Sequence, residues 1–164
     1  MSQQNQGTSL EAAKRVCPII AGALILGVVI TGGFILPDVL AEAPTGDQSD
    51  VSFAAGFAGV CFIAAMIVPN LMAKVVLANN SIKEEYRYPG AYQTRMVVRL
   101  AILEAAAFRN IFGVNSDNYP FTLGIVFVLL LTMIAFFPTS GRIDDWIKKK
   151  KELAGFPQQD AEFN

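Results

Sequence analysis

Apolar residues fall into four nearly unbroken stretches, and polar residues gather in the segments between them. The stretches run from Val16 to Leu36, Val51 to Leu71, Met96 to about Val114, and Tyr119 to Phe137. Each is close to the roughly 20 residues with which an α-helix crosses a hydrocarbon core of about 30 Å. None alternates apolar and polar positions with the period of two shown by membrane-barrel strands, so strands are not expected. The pattern predicts an all-α polytopic membrane protein with four transmembrane helices, arranged as two hairpins across residues 16–137. Ahead of them lies a polar segment, 1–15, and behind them a basic helical pattern over 138–155 and a polar tail over 156–164. The outermost stretches, Met1 to Leu10 and Phe156 to Asn164, offer too little apolar surface to order themselves.

Composition agrees with the pattern: of 164 residues, 53% are hydrophobic and only 16% charged, more apolar than an ordinary soluble domain. With a net charge of −1 there is no basic excess to suggest a nucleic-acid partner, and charge acts through its placement. Histidine is absent, and Cys17 and Cys61 fall inside apolar runs, as packing residues do. No metal, haem, other cofactor or disulfide framework is therefore expected. Nucleophile–base pairs, zinc-protease spacing and phosphate-binding glycine loops are also missing, so the chain does not read as an enzyme.

Lysine and arginine placement predicts orientation, because short basic segments stay on the cytoplasmic side. Lys14 and Arg15 precede the first span, and Lys74, Lys83, Arg87 and Arg95 lie between the second and third. The first connection, "PDVLAEAPTGDQSD", has acids and no base, and "NSDN" has only Asp117. A multi-pass inner-membrane protein with both termini cytoplasmic is the expectation. Ala41 and Ala43 have the spacing of a signal-cleavage site, but the apolar run exceeds the 7 to 15 residues of a usual signal core, and Pro44 follows. The first helix is expected to remain uncleaved.

Small residues suggest how the helices meet. Ala23/Gly27 in the first span, and Ser52/Gly56 and Ala55/Gly59 in the second, have the spacing that lets backbones approach, predicting a tight first hairpin. Pro69-Asn70 predicts a kink or an end in the second helix, with Met72 to Ala78 able to continue it. "YRYPGAY" reads as an aromatic loop at headgroup depth with a Pro89-Gly90 turn.

The third span is unusual in carrying "RLAILEAAAFRN", with Arg99, Glu104, Arg109 and Asn110 where lipid is expected. Centred near residue 105, the span would hold Glu104 and Arg109 within roughly 6 Å of the midplane, with Arg99 about a turn and a half nearer the cytoplasm and able to snorkel. Arg99, Ala106, Asn110 and Gly113 share one stripe at 100° per residue, and Glu104 faces away from both arginines. An intrahelical pair is thus not expected; Glu104 requires another helix, a wet pocket or a proton, and Arg109 requires an acceptor. "RLAILEAAAF" resembles the carboxylate-bearing helix of the c-type rotor-ring proteolipids of ATP synthases and vacuolar ATPases, which implies a proton on Glu104. Tyr92 to Glu104 is also similar to the third helix of small uncharacterised bacterial four-helix membrane proteins, which implies the four-span fold and no particular activity.

The basic pattern after Pro138, "TSGRIDDWIKKKKEL", predicts an amphipathic interfacial helix capped by Thr139 or Ser140, with Asp144 and Asp145 near its start. Ile143, Trp146, Ile147 and Leu153 would face the lipid, and Arg142, Trp146, Lys148, Lys149, Lys150 and Lys151 would bind anionic headgroups. Two functions fit: an accessory or scaffold protein that self-associates or joins a larger membrane complex, its charges organising helix packing, and a proton- or ion-handling protein that uses Glu104.

Overall fold

A computed structural model describes residues 3–41 and 51–154, with side chains from Ser9 onward. Most of the acidic first connection, including the Ala43 site, and the tail from 156 lie outside the described residues. Five helices make up the chain: α1 (Gln3–Ala41), α2 (Val51–Ala78), α3 (Glu84–Phe112), α4 (Tyr119–Ala135) and α5 (Ser140–Leu153), with no strand among the described residues. By length and apolar character, α1 over Ser9–Ala41 and α2 can each cross a membrane, with mean hydropathies of 2.6 and 2.3. A third crossing is available if α4 and α5, bent by 67° at a short break, count as one span. α3 carries too many charges to qualify by composition, and α4 has 17 residues, at the short end of the spanning range.

α3 is the central helix, packed against α1, α2, α4 and α5. Its buried positions, Tyr88, Tyr92, Met96, Leu100, Leu103, Ala107 and Ile111 among them, follow the three- and four-residue spacing of a helical face. Two small-residue stripes lie against it. α1 contributes Ala13, Cys17 and Ala21, and α2 contributes Ala54, Ala58, Ala65 and Ala73. Small side chains at this spacing bring helix backbones close, where dispersion contacts and lipid exclusion hold them.

These stripes correct the expected first hairpin, since α1 and α2 both pack on α3 and have no extensive interface with each other. A side chain added at Gly56 or Gly59 would meet open space, whereas one at Gly27 or Gly32 would touch α3. Alanines, and not the glycines, form the packing face of α2.

Two further expectations change. Pro89 and Gly90 lie inside α3, so "YRYPGAY" is helix and not a loop. Pro89 leaves the Glu85 carbonyl without its helical N–H donor, and the Ser9 hydroxyl donates to that oxygen at 2.7 Å. The same contact explains why the segment before Leu10, expected to be unstructured, continues as helix from Gln3. It has α3 to lean on, and Leu10 packs against the core. By contrast α2 runs through Pro69 to Ala78, as the sequence allows.

The "NSDN" connection is a built turn. Asn115 Oδ1 accepts from the Asp117 and Asn118 N–H groups, Asn118 Oδ1 accepts from the Asn115 N–H at 2.9 Å, and Thr122 donates to the Asn118 carbonyl. Asn118 and Thr122 are each 1% exposed, so this short polar loop folds into the end of the bundle.

Candidate functional site

Arg99 is 8% exposed, the buried charge of the bundle. Its Nε donates to the Ala65 carbonyl of α2 at 3.0 Å, and its guanidinium lies 4.3 Å from the centre of the Phe136 ring. Residue 69, four positions after Ala65, would normally supply the N–H for that carbonyl, but it is proline. Arg99 therefore occupies the acceptor that Pro69 leaves open, and the aromatic face adds a cation–π contact. One turn earlier on α3, Arg95 Nε donates to Asn70 Oδ1 at 2.8 Å, while Asn70 Nδ2 donates to the Met66 carbonyl. Two arginines of α3 thus grip the proline kink of α2.

The expectation placed Glu104 and Arg109 together near the middle of the third span with Arg99 snorkelling, whereas Arg99 is held inside the bundle. Because α3 begins at Glu84 and ends at Phe112, its middle falls at residue 98, the mean of those two numbers, and Arg109 lies in its last turn. Arg109 is exposed; its guanidinium lies 5.2 Å from the Phe53 ring centre of α2 and folds back over Gly113. A cation at this end meets the negative pole of the helix, which is where α3 tolerates it.

Glu104 is partly buried and points toward α1, where a Cβ added to Gly27 would stand 3.5 Å from its Oε1. The missing side chain of Gly27 is the space in which this carboxylate fits. No arginine pairs with it among the described residues, in keeping with its angular separation from both on the helix. Asn110 is fully buried beside Arg99's stripe; its Nδ2 donates to the Ala106 carbonyl at 2.8 Å, and its Oδ1 has no partner. Glu104, Arg99 and Arg109 therefore occupy three separate environments and do not form one charge site.

At the opposite end of α3 from Arg109, the start of α1, the end of α2 and α5 come together. Lys14 pairs with Asp144 at 2.7 Å, and Trp146 packs edge-on against Tyr92 with ring centres 5.5 Å apart. Ile143 and Ile147 are buried in the core, so the apolar face of α5 covers protein and does not face lipid; Leu153, at 73% exposed, is the exception. Thr139 is the N-cap position, though its side chain makes no capping bond, and Asp144 is held by Lys14 instead of by the helix start. Arg142 donates to the Ala135 and Phe137 carbonyls, closing the C-terminus of α4. Lys150 and Lys151 lie 5.9 and 5.7 Å from the Trp146 and Tyr88 ring centres, while Lys148 and Lys149 are exposed.

Sequence reasoning missed Ser9 and Ala65, and it named Asn70 and Gly27 without their partners Arg95 and Glu104. A signal for two of them was present: every proline inside a helix leaves a free carbonyl four residues earlier, and Pro69 and Pro89 each find a donor on another helix. Neither a protein-family model nor a curated protein nor a solved structure matches the chain, so its site rests on its own geometry.

Proposed function

We propose that this chain is a small integral-membrane accessory or scaffold protein, acting in a homo-oligomer or a larger membrane assembly, in which buried charge organises helix packing. The observation that carries this reading is the use of Arg99: its donor is spent on the carbonyl freed by Pro69, joining α3 to α2. A guanidinium anchored in this way, by Nε–H on one helix and an aromatic face at the end of another, fixes a helix interface. The exposed apolar side chains of α1 and α2, such as Phe34 at 78% and Val60 at 66%, suit a lipid or protein surround.

Four spans with cytoplasmic termini remain the best account of the membrane arrangement. α3 can cross despite its charges because it packs against four helices and its central arginine has an internal acceptor. The end of the bundle formed by α5, the start of α1 and the α2–α3 connection with its flanking helix turns holds every lysine, and every arginine except Arg95, Arg99 and Arg109, as a cytoplasmic face does.

A second reading, proton or ion handling, draws on Glu104, a partly buried carboxylate without an ion-pair partner among the described residues. Reconstitution into sealed vesicles, with mass measurement of the particle purified in mild detergent, separates the two. The scaffold reading expects a defined oligomer or a co-purifying membrane partner, and no proton flux beyond that of empty vesicles. Protein-dependent flux that Glu104→Gln abolishes, in a variant that still assembles, would replace it with the carrier reading.

A further inference from the structure

Between α2, α3 and α5, at the cationic end of the bundle, lies a cavity of about 350 Å³. Lys74 of α2, Arg95 of α3, and Lys149 and Lys150 of α5 line it, and no carboxylate does. Cations on three separate helices therefore converge on one space, although α5 has acids elsewhere on its surface. Like charges drawn together in this way repel, and the repulsion is relieved when an anion sits among them. Trp146 forms one wall, with both Arg95 and Lys150 5.9 Å from its ring centre. Asn70 adds an amide beside Arg95, and Ala73, Leu77 and Leu153 supply the apolar wall.

We propose that this cavity binds one phosphate-bearing anion, namely the headgroup of an anionic phospholipid whose glycerol and first acyl carbons lie along Leu77 and Leu153. The proposal rests on the membrane placement given above. It differs from attraction of the lysine run to a charged surface, because it requires Lys74 and Arg95, which belong to other helices, and leaves Lys148 outside. The volume lies within the roughly 300–1,000 Å³ of small-molecule sites. Basic pockets between spanning helices on the cytoplasmic side hold anionic headgroups for the same electrostatic reason. Docking of α5 by Ile143 and Ile147 builds the cavity, so an occupied headgroup would in turn hold α5 to the bundle.

Trp146 is the chain's single tryptophan and stands in the cavity wall, so its fluorescence reports occupancy. The full chain is reconstituted in phosphatidylcholine with a small fraction of brominated phosphatidylglycerol, or of brominated phosphatidylcholine as the zwitterionic comparison. Brominated phosphatidylglycerol is expected to quench at a several-fold lower mole fraction and to saturate. Lys74→Gln with Lys149→Gln should raise the fraction needed by about tenfold, whereas Lys148→Gln should not change it. Among the described residues neither Lys74 nor Lys149 makes a hydrogen bond or ion pair, so these variants keep the helix contacts; Arg95→Gln, which also loses Asn70, is a second test of the same loss. Equal quenching by the two lipids, or equal effects of Lys74→Gln/Lys149→Gln and Lys148→Gln, overturns the site. If inorganic phosphate in detergent displaces the brominated lipid at millimolar concentration, the ligand is a soluble phosphate and the lipid assignment is wrong. Absence of quenching by either lipid overturns the membrane placement itself, and the site with it.

Discussion

At the scale of single residues, the chain answers a general difficulty of proline inside helices: the carbonyl four residues earlier loses its helical donor. Arg99 solves this for Ala65 and Ser9 for Glu85, in each case from a different helix, so that a local defect becomes a tertiary contact. If this is the task of Arg99, removing it should strand a buried carbonyl, at a cost of about 1–3 kcal/mol. Arg99→Met is expected to lower the melting midpoint in detergent. Pro69→Ala supplies the missing N–H to the same oxygen, so adding it to Arg99→Met should restore much of the loss, a coupling that a double-mutant cycle measures. A double variant that melts no higher than Arg99→Met alone would show that the guanidinium serves another purpose. Glu104→Gln should have little effect on the same melt, because among the described residues no cation is paired with that carboxylate.

At the scale of elements, α5 shows what an amphipathic pattern can and cannot tell. Its helical register and its apolar face were legible from Ile143, Trp146 and Ile147, but the partner of that face was not, since lipid and protein accept the same side chains. The choice is made by residues distant in the chain: Tyr92 for Trp146, and Lys14 for Asp144. The start of α3 was misread for a related reason. Pro89-Gly90 favours a turn in isolation, and the carbonyl that Pro89 frees, that of Glu85, is satisfied by a serine 76 residues away from it. Ile143→Ala with Ile147→Ala should therefore release α5, each truncation costing about 2–4 kcal/mol of local packing. Limited trypsin digestion reads this directly: cleavage at Lys148 to Lys151 should accelerate markedly while α1 to α4 stay intact. Unchanged cleavage would mean that α5 is already detached.

At the scale of the whole molecule, the four apolar runs announced helices correctly, and the basic segments do gather at one end of the bundle. What hydropathy could not convey is that most of α3 packs against four other helices, because a residue's surroundings, and not its own polarity, decide what it meets. Arg99 reads as a snorkelling charge in the sequence, and in the fold it is buried with its Nε–H on an α2 carbonyl. α3 is consequently the helix whose crossing most needs a direct test, and the residues on either side of it provide one. Asn80 lies exposed in the α2–α3 connection, and Tyr119 is 36% exposed at the start of α4. Single cysteines at these two positions, with Cys17→Ala and Cys61→Ala to silence the native thiols, can be labelled in intact cells with a membrane-impermeant maleimide. Tyr119→Cys should react from outside, and Asn80→Cys should react only after permeabilisation, because lysines and arginines are retained on the cytoplasmic side. Only a crossing by α3 can put those two sites on opposite faces, since α3 and its short flanking turns are all that separate them. Labelling of both from the same side would remove α3 from the membrane and with it the four-span arrangement, leaving α1 and α2 as the crossings that length and composition support.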